Sequence, residues 1–180
     1  MRTLAKYLDC KTLIVVYHAN FESLIRYGVV FYGGGVEFNK LFKIQKRIVR
    51  IMLHMKFLDS CRGKFRSINV LMAYGLYIQE CVVFLFKHKH LFTEHVSQGT
   101  YTTRLTYYIF PKHHLTMTEK GPLYSCIKMF NKLPESIKRE NELSGFKKRV
   151  FKLLLDIEPY NLGEYLSHNV GDITGIRSKL

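Results

Sequence analysis

Apolar residues recur at helical spacing along most of the chain, and glycine or proline separates the regular segments. Ile14, Tyr17, Phe21, Leu24, Ile25 and Gly28 fall on one face of a helix expected over 11–31. Gly33, Gly34 and Gly35 then break the pattern. A second helix is expected over 38–55, with Leu41, Ile44, Ile48, Ile51, Met52 and Met55 as its apolar stripe. The segment 70–87 is apolar nearly all round, which predicts a helix at the centre of a bundle. Pro122 suits the first turn of a helix over 123–133, and Pro134 ends it. A further helix, capped by Asn141 or Ser144, presents Leu143, Phe146, Val150, Leu153, Leu154 and Ile157 to the core, and Pro159 closes it. A short helix is expected over 162–166.

The segment 91–121 breaks this helical rhythm. It is polar and rich in Thr and His, and the β-branched and aromatic residues of 104–110 predict a short strand. The fold class is therefore mainly α, a helical bundle with one short β segment near 104–110. Residues 1–10 read as a lead-in, 11–166 as a single helical domain and 167–180 as a flexible tail without periodicity.

Charge sharpens this picture. The 180 residues carry 28 Lys plus Arg against 14 acids, a formal net charge of +14. Such an excess attracts polyanions, above all nucleic acid or an anionic membrane surface. The most apolar run, 70–86, contains Gln79 and Glu80, and an acid at that depth argues against a membrane span. The N-terminus has no long apolar stretch of the kind a signal peptide carries. The basic residues are organised. Lys40, Lys43, Arg47 and Arg50 share one face of the second helix, and Lys147, Lys148, Arg149 and Lys152 form the outer face of the later one. Each face is either a ridge that tracks phosphates or a solvated surface on a core helix.

Little else points to chemistry. Phosphoryl transfer on metal ions needs clustered carboxylates, and Asp9, Asp59, Asp156 and Asp172 are scattered. The glycine run lacks the Lys-Ser/Thr that closes a phosphate-binding loop, so it reads as a hinge. His88, His90, His95, His113 and His114, with Cys81 or Cys126, lack the paired short spacing of zinc ligands. Cys10, Cys61, Cys81 and Cys126 are widely spaced, as free and mostly buried thiols are. No activated serine or cysteine motif occurs. No catalytic residue, metal ligand or cofactor site is assigned. Tyr107, Tyr108 and Phe110 either stack on bases or anchor a loop.

Several blocks, in order, resemble a known family. Tyr17, Ser23-Leu24, Tyr27-Gly28 and Tyr32-Gly33 are followed by Leu41, Ile44, Gln45-Lys46-Arg47, Arg50 and Ile51. Ser60-Cys61, Phe65, Leu71, Leu76-Tyr77 and Glu80 come next, then Tyr101-Thr102-Thr103-Arg104 and Pro111-Lys112. Gly121-Pro122-Leu123-Tyr124, Phe130 to Pro134, Phe146-Lys147 and Glu164-Tyr165-Leu166 complete the set. The series resembles the region downstream of the polymerase core in reverse transcriptases of jockey-like non-LTR retrotransposons. Tyr32 stands where that family usually has Trp, and Thr102 where it has Asn.

The resemblance spans about 11–166. It implies a post-polymerase, thumb-like helical segment of an RNA-directed DNA polymerase that grips a template-primer duplex. The family's Y-x-D-D box lies upstream of the matched region and has no counterpart here, so no catalytic residue carries over. The candidate phosphate contacts are Lys43, Lys46, Arg47 and Arg50 on the second helix and Lys147, Lys148, Arg149 and Lys152 on the later one, with Arg104 added by its motif. The implied partners are an RNA or DNA duplex and, within the parent protein, the missing polymerase core. The chain then reads as a C-terminal remnant. A decayed fragment without selected function and a protein-interaction module are the alternatives.

Overall fold

The computed structural model describes residues 1–93, 108–112, 119 and 121–168. The chain is mainly helical, with no sheet among the described residues. Its helices are α1 (Cys10–Tyr17), α2 (Ser23–Arg26), α3 (Val29–Tyr32), α4 (Phe38–Met52), α5 (Lys64–Ser67), α6 (Ala73–Lys87), α7 (Pro122–Asn131), α8 (Glu135–Lys138), α9 (Leu143–Ile157) and α10 (Leu162–Ser167).

α6 is the axis of the bundle, as its all-round apolarity predicts. Leu76, Ile78, Cys81, Val82 and Leu85 are fully buried along it. α7 packs along one side and α9 along another. α9 runs antiparallel to α6: Leu154 lies beside Gly75 near one end, and the Phe146 ring stacks on Phe86 at 4.4 Å near the other. α3 and α4 cover the N-terminal half of α6, where Phe38 meets Tyr74 and Tyr77, and Phe42 meets Tyr74. Apolar burial of this extent is the main driving force holding such a bundle together.

Two predicted apolar faces are displaced. The first helix is not continuous over 11–31. A π-helical stretch (His18–Glu22) succeeds α1, and Gly28 adopts φ +71°, which breaks the chain between α2 and α3. The extra residue in the π turn rotates the downstream helix about its axis. The buried positions become Leu13, Tyr17, Ile25 and Val29, and Leu24 is turned out to solvent. α4 ends at Met52 rather than 55, and its core face is Phe38, Phe42, Gln45, Val49 and Met52. Leu41 and Ile48 are half-buried beside that face, and Ile44 is half exposed.

The buried Gln45 explains the second shift. Its amide nitrogen donates to the Tyr17 hydroxyl at 2.7 Å and to the Leu71 carbonyl at 2.8 Å, and its oxygen accepts from the Ala73 amide at 2.7 Å. A polar residue sits at the centre of an apolar face because the N-terminus of α6 supplies its partners.

The glycine run separates α3 from α4, and its first residue also serves packing. A Cβ on Gly33 would stand 2.2 Å from Tyr77 Cδ2, so the backbone lies flat against that ring. The lead-in is also part of the fold: a 3-10 turn (Leu4–Lys6) brings Met1, Ala5 and Leu8 against the core, and Asp9 caps α1 by accepting from the Thr12 amide at 3.3 Å. The later elements agree with their periodicity, but Glu142, not Asn141 or Ser144, holds the cap position of α9, and it makes no side-chain cap bond. α9 buries Phe146, Val150, Leu153 and Leu154. Asn161 caps α10 through the Glu164 amide at 2.8 Å. α8 is an addition, a single turn after Pro134. The predicted strand lies mostly outside the described residues. At its end Ile109 donates to the Thr93 carbonyl at 2.9 Å. The predicted tail, apart from Ser167 and His168, also lies outside them.

Candidate nucleic-acid interface

The candidate cations separate into two physical groups. On α4, Lys43 and Arg47 point outward because Phe42, Gln45 and Val49 fix the opposite side in the core. Lys40 extends the same face and pairs with Glu37. On α9, Phe146, Val150 and Leu153 are held against α6, which turns Lys147, Lys148 and Lys152 to solvent. Among the described residues, these five cations — Lys43, Arg47, Lys147, Lys148 and Lys152 — take part in no ion pair.

The other candidates are committed within the fold. Lys46 is half-buried, with Nζ 4.6 Å from the centre of the Phe42 ring and 5.8 Å from that of Tyr160. Arg50 donates to the Asp59 carbonyl at 2.9 Å. Arg149 pairs with Glu140 at 2.9 Å and reaches the Ser136 carbonyl at 3.3 Å. These contacts brace α4 and α9 against neighbouring segments. Arg104 lies outside the described residues.

The acids explain why the remaining positive charge faces outward. Glu22 and Glu80 both bind Arg26, whose guanidinium also reaches Gln79 on α6 at 3.0 Å. Glu158 adopts φ +46° and accepts from the Gly63 and Arg66 amides at 2.7 and 2.9 Å. Asp156 pairs with Arg66 at 3.0 Å and Glu164 with Arg62 at 3.4 Å. Among the described residues, acids meet the outer faces of α4 and α9 only at Lys40, through Glu37, and at Arg149, through Glu140.

Both helices rest on α6, α4 through Gln45 and Phe42 at its N-terminal end and α9 along its length.

The aromatic cluster divides as well. Tyr108 is buried, and its backbone is gripped at both ends by Asn131: the Tyr108 amide donates to Oδ1 at 2.9 Å, and Nδ2 donates to the Tyr108 carbonyl at 2.8 Å. It is a loop anchor. Phe110 is part exposed and stacks on Tyr124 with ring centres 4.3 Å apart. Tyr107 lies outside the described residues. Sequence reading missed the role of Asn131, since nothing at position 131 signals a partner 23 residues away.

No group of three or more metal-capable side chains occurs among the described residues. The His88 and His90 rings are 5.9 Å apart, and His88 rests on Phe84. His95, His113 and His114 lie outside the described residues. Cys61, Cys81 and Cys126 are free and buried, and Cys10 is partly so. Burial pushes the Cys81 thiol well above its usual range, which holds it in the unreactive protonated form. No described helix is long and apolar enough to cross a membrane.

No family model, curated protein or solved structure matches the chain.

Proposed function

We propose that this chain binds nucleic acid through phosphate contacts, without polymerase chemistry of its own. The observation that carries the reading is the outward set Lys43, Arg47, Lys147, Lys148 and Lys152, fixed on two rigid helices and left without acidic partners among the described residues. Cations so placed add affinity for any phosphate backbone by releasing condensed counterions. They carry no base readout, so binding is indifferent to sequence. The ordered blocks resembling the post-polymerase region of jockey-like reverse transcriptases support the same reading. They give the charge an origin in a segment of an RNA-directed DNA polymerase that grips a template-primer duplex.

A filter-binding titration of an RNA–DNA hybrid over a salt series tests this. Affinity that falls steeply as salt rises is the expected result. No binding, or binding that barely changes with salt, overturns it.

A second reading, a protein-interaction module, has its own observation. Leu24, Tyr27 and Phe31 are 73%, 86% and 73% exposed on α2, its cap and α3. Large apolar groups left in water mark docking faces when they are contiguous. Concentration-dependent association in light scattering, abolished by Tyr27→Ser with Phe31→Ser, supports that alternative.

A further inference from the structure

A groove of about 350 Å³ opens where three distant parts of the chain meet. Leu91, Phe92 and Thr93 lie just beyond α6; Ile109, Phe110, Pro111 and Lys112 form the facing segment; Leu123 and Ile127 come from α7. The Ile109–Thr93 hydrogen bond joins the first two parts, and Asn131 fixes the second through Tyr108. Leu91, Ile109, Phe110 and Leu123 are each more than a third exposed, so one groove gathers four large apolar side chains in contact with solvent.

We propose that this groove receives a single unpaired nucleobase, with Lys112 at its edge meeting the adjoining phosphate. The inference rests on the nucleic-acid reading above and extends it from duplex phosphates to a single strand. Three observations select this occupant. The volume sits near the lower end of ligand sites, which begin at about 300 Å³, and suits one planar ring system. A docked peptide helix needs a longer track of anchors at successive turns. The Phe110–Tyr124 stack at the wall offers an aromatic surface on which a further ring can lie. One cation, Lys112, lines the groove, and no acid does among the described residues. An anionic ligand with a flat apolar portion fits that combination. The lining has almost no hydrogen-bonding side chain apart from Thr93 and Lys112, so any base is accepted.

The test compares a blunt duplex with the same duplex carrying a short single-stranded extension, by fluorescence anisotropy on the full chain. The extension is expected to tighten binding roughly tenfold, within the range that stacking one base contributes. Leu123→Lys puts a charge into the apolar wall of the groove, and Phe110→Ala removes the aromatic wall. Each is expected to abolish the preference for the extension and leave blunt-duplex affinity no weaker than in the parent. Equal binding of the two substrates by the parent chain overturns the inference while the phosphate reading stands. A Leu123→Lys variant that binds both substrates more tightly with the preference intact overturns it too. Failure to bind either substrate overturns both readings together.

Discussion

The side chain of Gln45 caps the central helix: its oxygen accepts from the Ala73 amide at 2.7 Å, while its nitrogen bonds Tyr17 and Leu71. One fully buried residue thus ties α1, α4 and the start of α6 together. Gln45→Leu keeps the volume close to the original and removes every partner. The Ala73 amide and Leu71 carbonyl are then left buried, and each such group costs about 1–3 kcal/mol. The expected loss is about 3 kcal/mol of unfolding free energy, read from urea denaturation as a lower midpoint with an unchanged slope. Gln45→Glu keeps the acceptor and loses the donors, and it is expected to be at least as damaging because it buries a charge.

Gly33 and Tyr77 make the tightest glycine contact among the described residues. A Cβ 2.2 Å from the ring forces either α3 or Tyr77 to move. Gly33→Ala is expected to cost about 2 kcal/mol, in the range for overfilling a packed core. In a Tyr77→Leu background the same substitution is expected to cost much less, because the ring that it strikes is gone. A double-mutant cycle measures this; equal costs in both backgrounds sink the explanation.

Legibility tracked the regularity of the backbone. α9 is an uninterrupted helix, so its 3.6-residue period put Phe146, Val150, Leu153 and Leu154 in the core correctly. The first helix failed at a π turn, which no apolar pattern announces, and Leu24 and Val29 exchanged places as a result. α4 carries apolar residues on two overlapping faces. The face that won contains a glutamine, whose partners are 26 and more residues away and invisible to a local reading. The cations were legible as a class. Which of them are spent inside the fold was not, because that depends on the Asp59 carbonyl and the Tyr160 ring.

Three buried phenols contribute to the stability of the fold at alkaline pH. Tyr17, Tyr77 and Tyr165 all titrate well above the usual tyrosine range, with desolvation by burial as the leading cause. Folding favours their neutral forms. Their contribution is fully present below the unfolded-state value of about 10 and is lost as pH rises from there through the folded values. Each contributes a slope of about 1.4 kcal/mol per pH unit in that window. Tyr165→Phe gives up the bond to the Met129 carbonyl at 3.0 Å and so lowers stability at neutral pH. Above a pH of about 10 it is expected to flatten the decline by one tyrosine's share. Denaturation curves at several alkaline pH values check this, and an unchanged slope counts against it.

The division of the cations gives the last prediction. Lys147→Gln, Lys148→Gln and Lys152→Gln together remove outward charge and break no ion pair among the described residues. Thermal stability is expected to stay nearly constant, as it does for most surface changes. Nucleic-acid affinity is expected to fall, with the salt dependence shallower by about 0.9 in log–log slope for each phosphate that the variant no longer neutralises. Lys46→Gln and Arg149→Gln should behave in the opposite manner. Lys46 leaves the Phe42 and Tyr160 rings, and Arg149 releases Glu140 and the Ser136 carbonyl, so stability drops. At temperatures where these variants remain folded, their salt slope should match that of the parent. The paired readout of melting temperature and salt slope separates a brace from a phosphate contact. If the two sets of variants move both quantities alike, outward exposure does not mark the binding residues, and the α9 face is a solvated surface.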